Sequence, residues 1–262
     1  MRKIRWWQWP NLLAIDAAVI AVAWQHTFAL SSGSASGLGV SAVLALSVWL
    51  TYTADRLFDV GNRPPRDLLS ARHQFAKTHS LKLWRIWMAI LGLNITIALF
   101  LLSRSALLHG LVLLAACLLY TLISQKVASR FFPKELFVAV IFACGTTVFI
   151  GFPIVETLAF SQLCLLNCLL IGGQEVSIDK ALRVNSLSSD DYRGRTGFVG
   201  ILIMIPLLFL IPVSSSGPII LSAICIIMIF LKRRDMDPEK FRVYLDMALL
   251  FGPLFGLIVY KA

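Results

Sequence analysis

Charged side chains are scarce in this sequence, at 15% of 262 residues, and only 14 residues are acidic. Set against 58% apolar residues and a mean hydropathy of +0.80, that scarcity excludes a water-soluble globular protein. Long polar stretches are missing too, which leaves no room for a separate soluble domain. Period-two alternation over many short segments is absent and excludes a barrel. The five cysteines (Cys117, Cys144, Cys164, Cys168, Cys225) include no ligand-like CxxC pair. All lie in apolar stretches and read as small core residues rather than disulfides or zinc ligands, although Cys164 and Cys168 share a helix face.

What the sequence does contain is a series of apolar runs of about the ~20 residues that a helix needs to cross hydrocarbon. They predict nine transmembrane spans at residues 11–31, 37–54, 83–103, 106–124, 135–152, 157–174, 197–213, 217–231 and 243–260. All nine are expected to be helices, because hydrocarbon cannot satisfy the backbone groups of an open strand. The expectation is an all-α polytopic protein in which residues 1–262 form one transmembrane domain. Of the 24 Lys and Arg residues, 22 fall on one side, in connectors or, for Arg85, just inside the third span, and only Arg104 and Lys261 fall on the other. The basic side is the cytoplasmic one, so the N-terminus is predicted inside and the C-terminus outside, a bias suited to a bacterial inner membrane. The net charge of +10 therefore reports topology, not a nucleic-acid partner. Arg2, Lys3 and Arg5 ahead of an apolar run resemble a secretory leader. The run is longer than the usual ~7–15 residues, however, and contains Asp16, so it is read as a span with Trp6, Trp7 and Trp9 as interfacial anchors.

The few carboxylates carry the chemistry. Eleven of the 14 lie in the basic connectors or at their border, where Glu135 begins the fifth span, Glu156 lies outside, and Asp16 and Asp246 lie deeper within spans. Each of these two is a few residues into a helix, roughly 7 Å deep at ~1.5 Å per residue. Each reads either as an interhelical hydrogen-bonding carboxylate or as the lining of a cavity open to the cytoplasm. Asp55 and Asp59 stand where span two leaves the membrane, spaced i, i+4 on one helix face and followed by arginines. Glu175 and Asp179 repeat the arrangement at the end of span six. Spans two and six lie four helices apart, which predicts a parallel repeat of four helices plus a ninth. Magnesium prefers oxygen ligands and commonly takes one or two carboxylates plus phosphate oxygens. Two acidic pairs backed by Arg56, Arg63, Arg66 and Arg183 therefore suit Mg²⁺ and a diphosphate substrate.

These residues resemble the UbiA superfamily of intramembrane prenyltransferases, which have nine helices arranged four plus four plus one and two Asp-rich motifs ending helices two and six. The first family motif is approximately N-D-x-x-D-x-x-x-D, followed by a loop often reading N-[KR]-P. Asp55, Arg56 and Asp59 match its last part, and Asn62-Arg63-Pro64 match the loop, while Leu50 and Thr51 are taken to stand where the Asn and first Asp belong. The second motif, D-x-x-x-(D/E)-x-x-x-D, is matched by Glu175 and Asp179, with Ile171 in the first acidic place. Tyr120 and Lys126 at the end of span four also look like a family feature.

The resemblance implies a prenyl transfer from a polyprenyl diphosphate to a lipophilic acceptor such as a phenol or quinol. Asp55, Asp59, Glu175 and Asp179 would be the metal-binding and catalytic carboxylates, and Arg56, Arg63, Arg66, Lys126 and Arg183 the diphosphate contacts. Phe58, Trp49 and the tryptophans of span three are candidates for lining a water-free chamber. Asp190, Asp191 and Asp246 are candidates to replace the missing acids. Two other readings fit the same features: a UbiA-like lipid or quinone binder without catalysis, and a transporter in which Pro206 and Pro253 break spans.

Overall fold

The structure, a computed structural model, describes residues 4–34, 36–61, 63–127, 133–181, 213–233 and 236–259, and every regular element among them is helical. After a short 3-10 turn at Trp6–Gln8 come α1 (Trp9–Leu12), α2 (Ile15–Ser31), α3 (Leu38–Gly61), α4 (Ala71–Thr78), α5 (Ser80–Leu101) and α6 (Arg104–Val127). The chain continues through α7 (Lys134–Thr147), α8 (Ile154–Gln174), α9 (Val176–Ala181), α10 (Val213–Leu231) and α11 (Pro238–Val259). Eight of the nine predicted spans coincide with these helices; the seventh, 197–213, lies outside the described residues except at its last position.

Six described segments are long and apolar enough to cross a membrane, counting the bent α1–α2 pair as one. The helix α7 has only 14 residues. It ends at Thr146 and Thr147, whose hydroxyls donate back to the Phe142 and Ala143 carbonyls, before a turn with Gly151 at φ +86° and Phe152 at φ +53°. The second predicted span also ends later than expected: α3 runs on to Gly61, so Asp55 and Asp59 sit on its last two turns.

The first span is broken. α1 and α2 meet at 72°, and Ala14 at the junction has φ +55°, a left-handed conformation that an L-residue adopts at a cost. The Asn11 carbonyl accepts the Ala14 N–H at 3.1 Å across the break, and α3 supplies further donors to the carbonyls there. Arg56 Nη1 donates to the Asn11 and Leu12 carbonyls, the latter at 3.0 Å, and Trp49 Nε1 donates to the Leu13 carbonyl at 2.8 Å.

The core gathers where α2, α7, α8, α10 and α11 pack. Trp24, Phe28 and Phe160 are fully buried with ring centroids 4.6 to 5.6 Å apart. Pro253 lies within α11 and does not interrupt it. A proline there frees the carbonyl four residues back, that of Leu249, which instead accepts from Trp24 Nε1 at 2.9 Å and from Ser222 Oγ at 3.4 Å. The same region brings α10 and α11 into close approach, since a Cβ added at Gly252 would collide with the Pro218 carbonyl oxygen. In contrast, α5 and α6 bury 6% and 0% of their most apolar windows, and side chains such as Leu99, Phe100, Val112 and Leu122 face outward. Their surface suits acyl chains, and the protein is an integral membrane protein.

Candidate functional site

A cavity of about 420 Å³ opens among α2, α3, α4, α7, α8 and α11, within the roughly 300–1,000 Å³ typical of small-molecule sites. Part of its wall is apolar, from Ile20, Val138, Ala139, Phe142 and Leu249. The rest is densely polar. Asp55, Asp59 and Glu175, from the ends of α3 and α8, line it together. Asp55 is exposed to this space, while Asp59 has His73 Nε2 at 3.8 Å from its Oδ2.

The helix α4 brings residues that the sequence reading missed. Ser70 caps it, accepting from the His73 N–H at 3.4 Å, and its hydroxyl lies 2.6 Å from His73 Nδ1. Glu239 at the start of α11 takes the Ala71 N–H at 2.7 Å and Gln8 Nε2 at 2.5 Å, and Lys77 Nζ donates to the Val60 and Gly61 carbonyls, both at 2.9 Å. Beneath α4, Ala76 packs with buried Val60, Leu68 and Ile178. Anchored in this way, α4 points Arg72 into the cavity.

Glu175 is held by two arginines. Arg72 grips it with both terminal nitrogens, Nη1 to Oε1 at 3.2 Å and Nη2 to Oε2 at 2.9 Å, and Arg242 Nη1 reaches Oε2 at 2.8 Å. Arg242 is also 3.9 Å from Asp246, one turn along α11. Asp246 accepts from Asn167 at 3.2 Å and from Asn11 at 3.4 Å, and Asn11 donates to Asp16 at 2.8 Å. Asp16 also accepts the Ala17 N–H at 2.9 Å, a carboxylate at the N-terminus of α2 where the helix dipole favours it. Both readings of the intramembrane acids therefore apply: Asp16 and Asp246 are interhelical hydrogen-bond acceptors, and both line the cavity. The carbonyl oxygen of the Asn167 side chain is buried without a hydrogen-bond donor.

The predicted basic residues divide. Arg63 lines the cavity, and so does Tyr120. Arg56 is on the wall as well, but is buried and gives Nη1 to the carbonyls of the α1–α2 break. Arg66 is on the surface, 88% exposed and 3.8 Å from Asp67. Arg183, Asp190 and Asp191, and the side chains of Lys126 and Asp179, lie outside the described residues. Of the aromatic candidates Phe58 lines the cavity, with Trp84 against its outer edge at 5.7 Å, whereas Trp49 and Trp87 spend their indole N–H groups on the Leu13 and Leu50 carbonyls.

Registering the first family motif on Asp55 and Asp59 puts its initial Asp at Tyr52, one residue beyond the Leu50–Thr51 pair assigned from the sequence. Tyr52 and Ile171, the two replacements for an acid, both line the cavity. Asp55 and Asp59, one helical turn apart with hard oxygen donors, fit Mg²⁺. Glu175 does not fit as it stands, because both of its oxygens are engaged by guanidinium groups. Among the described residues no cluster of three or more His, Cys, Asp or Glu could cage a metal, so magnesium at the α3 pair would complete its shell with water and phosphate oxygens.

Neither a family model nor a curated relative matches this sequence. The structure is similar to the apo structure of a UbiA homolog from Aeropyrum pernix K1, with a TM-score of 0.67 and 14% identity, over 95% of this chain and 99% of that one. At that identity the likeness is one of architecture: this chain is an integral membrane protein with a UbiA-like fold.

Proposed function

We propose that this single-domain protein is a divergent member of the UbiA superfamily that transfers a polyprenyl group from its diphosphate to a lipophilic acceptor. The observation that carries the reading is the convergence of Asp55, Asp59 and Arg63 on a cavity whose wall is apolar in part. Asp55 and Asp59 would hold Mg²⁺, which when bound neutralises diphosphate charge and eases its departure. Arg63 neutralises the same charge from the loop after α3, with Lys126 and Arg183 as further candidates, and Asp179 is a further candidate to hold the metal. Ile20, Val138 and Phe142 keep water from the reacting carbon, and Phe58 presents an aromatic face to developing positive charge. The cytoplasmic placement of the acidic helix ends and a bacterial inner-membrane location belong to the same proposal.

A second reading, a lipid or quinone binder that has lost the chemistry, is favoured by Tyr52 and Ile171 at the acidic places and by the double clamp on Glu175. Turnover separates the two. Purified protein in lipid, given a radiolabelled polyprenyl diphosphate and a lipid extract as acceptor source, is expected to release pyrophosphate and label a lipid only when Mg²⁺ is present. Stable binding of the lipid with no pyrophosphate released would leave the binder.

A further inference from the structure

The Arg72–Glu175–Arg242 cluster is built like an anion site that contains its own anion. Two guanidinium groups from elements far apart in sequence, α4 and α11, converge on one carboxylate, and Oε2 receives both, at 2.9 and 2.8 Å. The fork of Arg72 across both oxygens is the geometry a guanidinium adopts on a phosphate. Both guanidinium groups meet on the Glu175 carboxylate, and Arg242 Nε also lies 3.9 Å from Asp246 Oδ2, beyond hydrogen-bond reach. Arg242 Nε is buried without a hydrogen-bond acceptor, so the cluster has donor capacity that Glu175 does not use. Neither arginine depends on Glu175 for its place: α4 is anchored through Ala71 to Glu239 and through Lys77 to the end of α3, and Arg242 projects from α11. All three side chains line the cavity that also holds Asp55, Asp59 and Arg63.

We propose that Arg72 and Arg242 form a binding site for the phosphate or diphosphate group of a lipid, and that the Glu175 carboxylate is an internal anion which that ligand displaces. The inference rests on the polyprenyl diphosphate reading for the identity of the ligand, but not on catalysis. It gives Glu175 the opposite role to a magnesium ligand. A metal ligand helps the diphosphate to bind, whereas an internal competitor opposes it. Glu175→Gln removes the negative charge while keeping the shape, and the two roles then differ in sign.

The test uses the full chain in phosphatidylcholine nanodiscs with a chelator and no Mg²⁺, titrated with inorganic pyrophosphate and separately with a polyprenyl diphosphate. Glu175→Gln is expected to tighten both about tenfold, and Arg242→Gln and Arg72→Gln to weaken both about tenfold. Pyrophosphate should also raise the unfolding temperature of Glu175→Gln more than that of the wild type. A folded Glu175→Gln protein that binds either probe no better than the wild type overturns the proposal and leaves a structural ion triad. If that variant does not fold, the arginine variants decide, and unchanged affinity in both overturns it equally. Tightening with pyrophosphate and no added affinity from the prenyl tail supports the anion site while sinking the transferase reading. Unaltered affinities alongside Mg²⁺-dependent turnover do the reverse.

Discussion

Pyrophosphate release from a polyprenyl diphosphate is expected to fall about 10³-fold in Asp55→Asn and in Asp59→Asn proteins that remain folded, the loss typical of removing a main electrostatic contact to a developing anion. The two carboxylates occupy successive turns at the end of α3 and face the same cavity, so each would supply an oxygen to one magnesium. Asparagine keeps the volume and one oxygen but removes the charge that holds a hard cation. The single variants should approach the loss of the double variant, because residues that act as a unit are not additive. Asp59 adjoins His73, so its substitution also loosens one contact to α4, whereas the Asp55 side chain is exposed to the cavity. The measurement is initial-rate pyrophosphate release at saturating Mg²⁺, with thermal unfolding as the control. Full activity in Asp55→Asn would remove the α3 pair from the mechanism.

Arg56→Met is expected to act on stability instead, lowering it by about 3–5 kcal/mol. Arg56 is 8% exposed and satisfies two backbone carbonyls at the α1–α2 break. Methionine packs a similar stem but donates nothing: the Asn11 carbonyl keeps the Ala14 N–H at 3.1 Å, whereas the Leu12 carbonyl loses the guanidinium, and a carbonyl left buried without a donor costs roughly 1–3 kcal/mol. The guanidinium also lies among Asp16 and Asp55, so its removal leaves cavity acids less compensated. Arg56→Lys should recover part of the loss, since an ammonium donates without the planar fork. Unfolding in detergent read by intrinsic fluorescence measures the difference. A stable Arg56→Met protein with weakened diphosphate binding would instead return Arg56 to the phosphate-contact role first read from its place between the two acids.

These two residues show what a linear reading can reach. Asp55, Asp59 and Glu175 were legible because spacing, repetition four spans apart and the arginines downstream are local features. Arg56 shares that neighbourhood, and only the fold shows its commitment elsewhere: the break it serves begins at Ala14, and alanine gives no sequence signal of a left-handed turn. Arg72 and Arg242 stood in the sequence as two among many basic residues of the cytoplasmic connectors. Their meeting at Glu175 depends on α4 docking against the start of α11, a contact between segments some 170 positions apart that no motif announces. Asp16 and Asp246 drew attention because charge within a span is expensive, and the partners that offset that cost, Asn11 and Asn167, are the residues the sequence left unmarked. The length of the fifth span was least legible, since α7 stops at Thr147.

The central claim is that the cavity takes a polyprenyl diphosphate with the help of magnesium at the end of α3. Equilibrium binding of a radiolabelled polyprenyl diphosphate to the full chain in nanodiscs, with and without Mg²⁺ at matched ionic strength, tests it most directly. The account predicts binding that Mg²⁺ strengthens at least tenfold in the wild type and leaves unchanged in Asp55→Asn. Binding that is absent, or equal with and without the metal in both proteins, would contradict it and leave the UbiA fold here in another use.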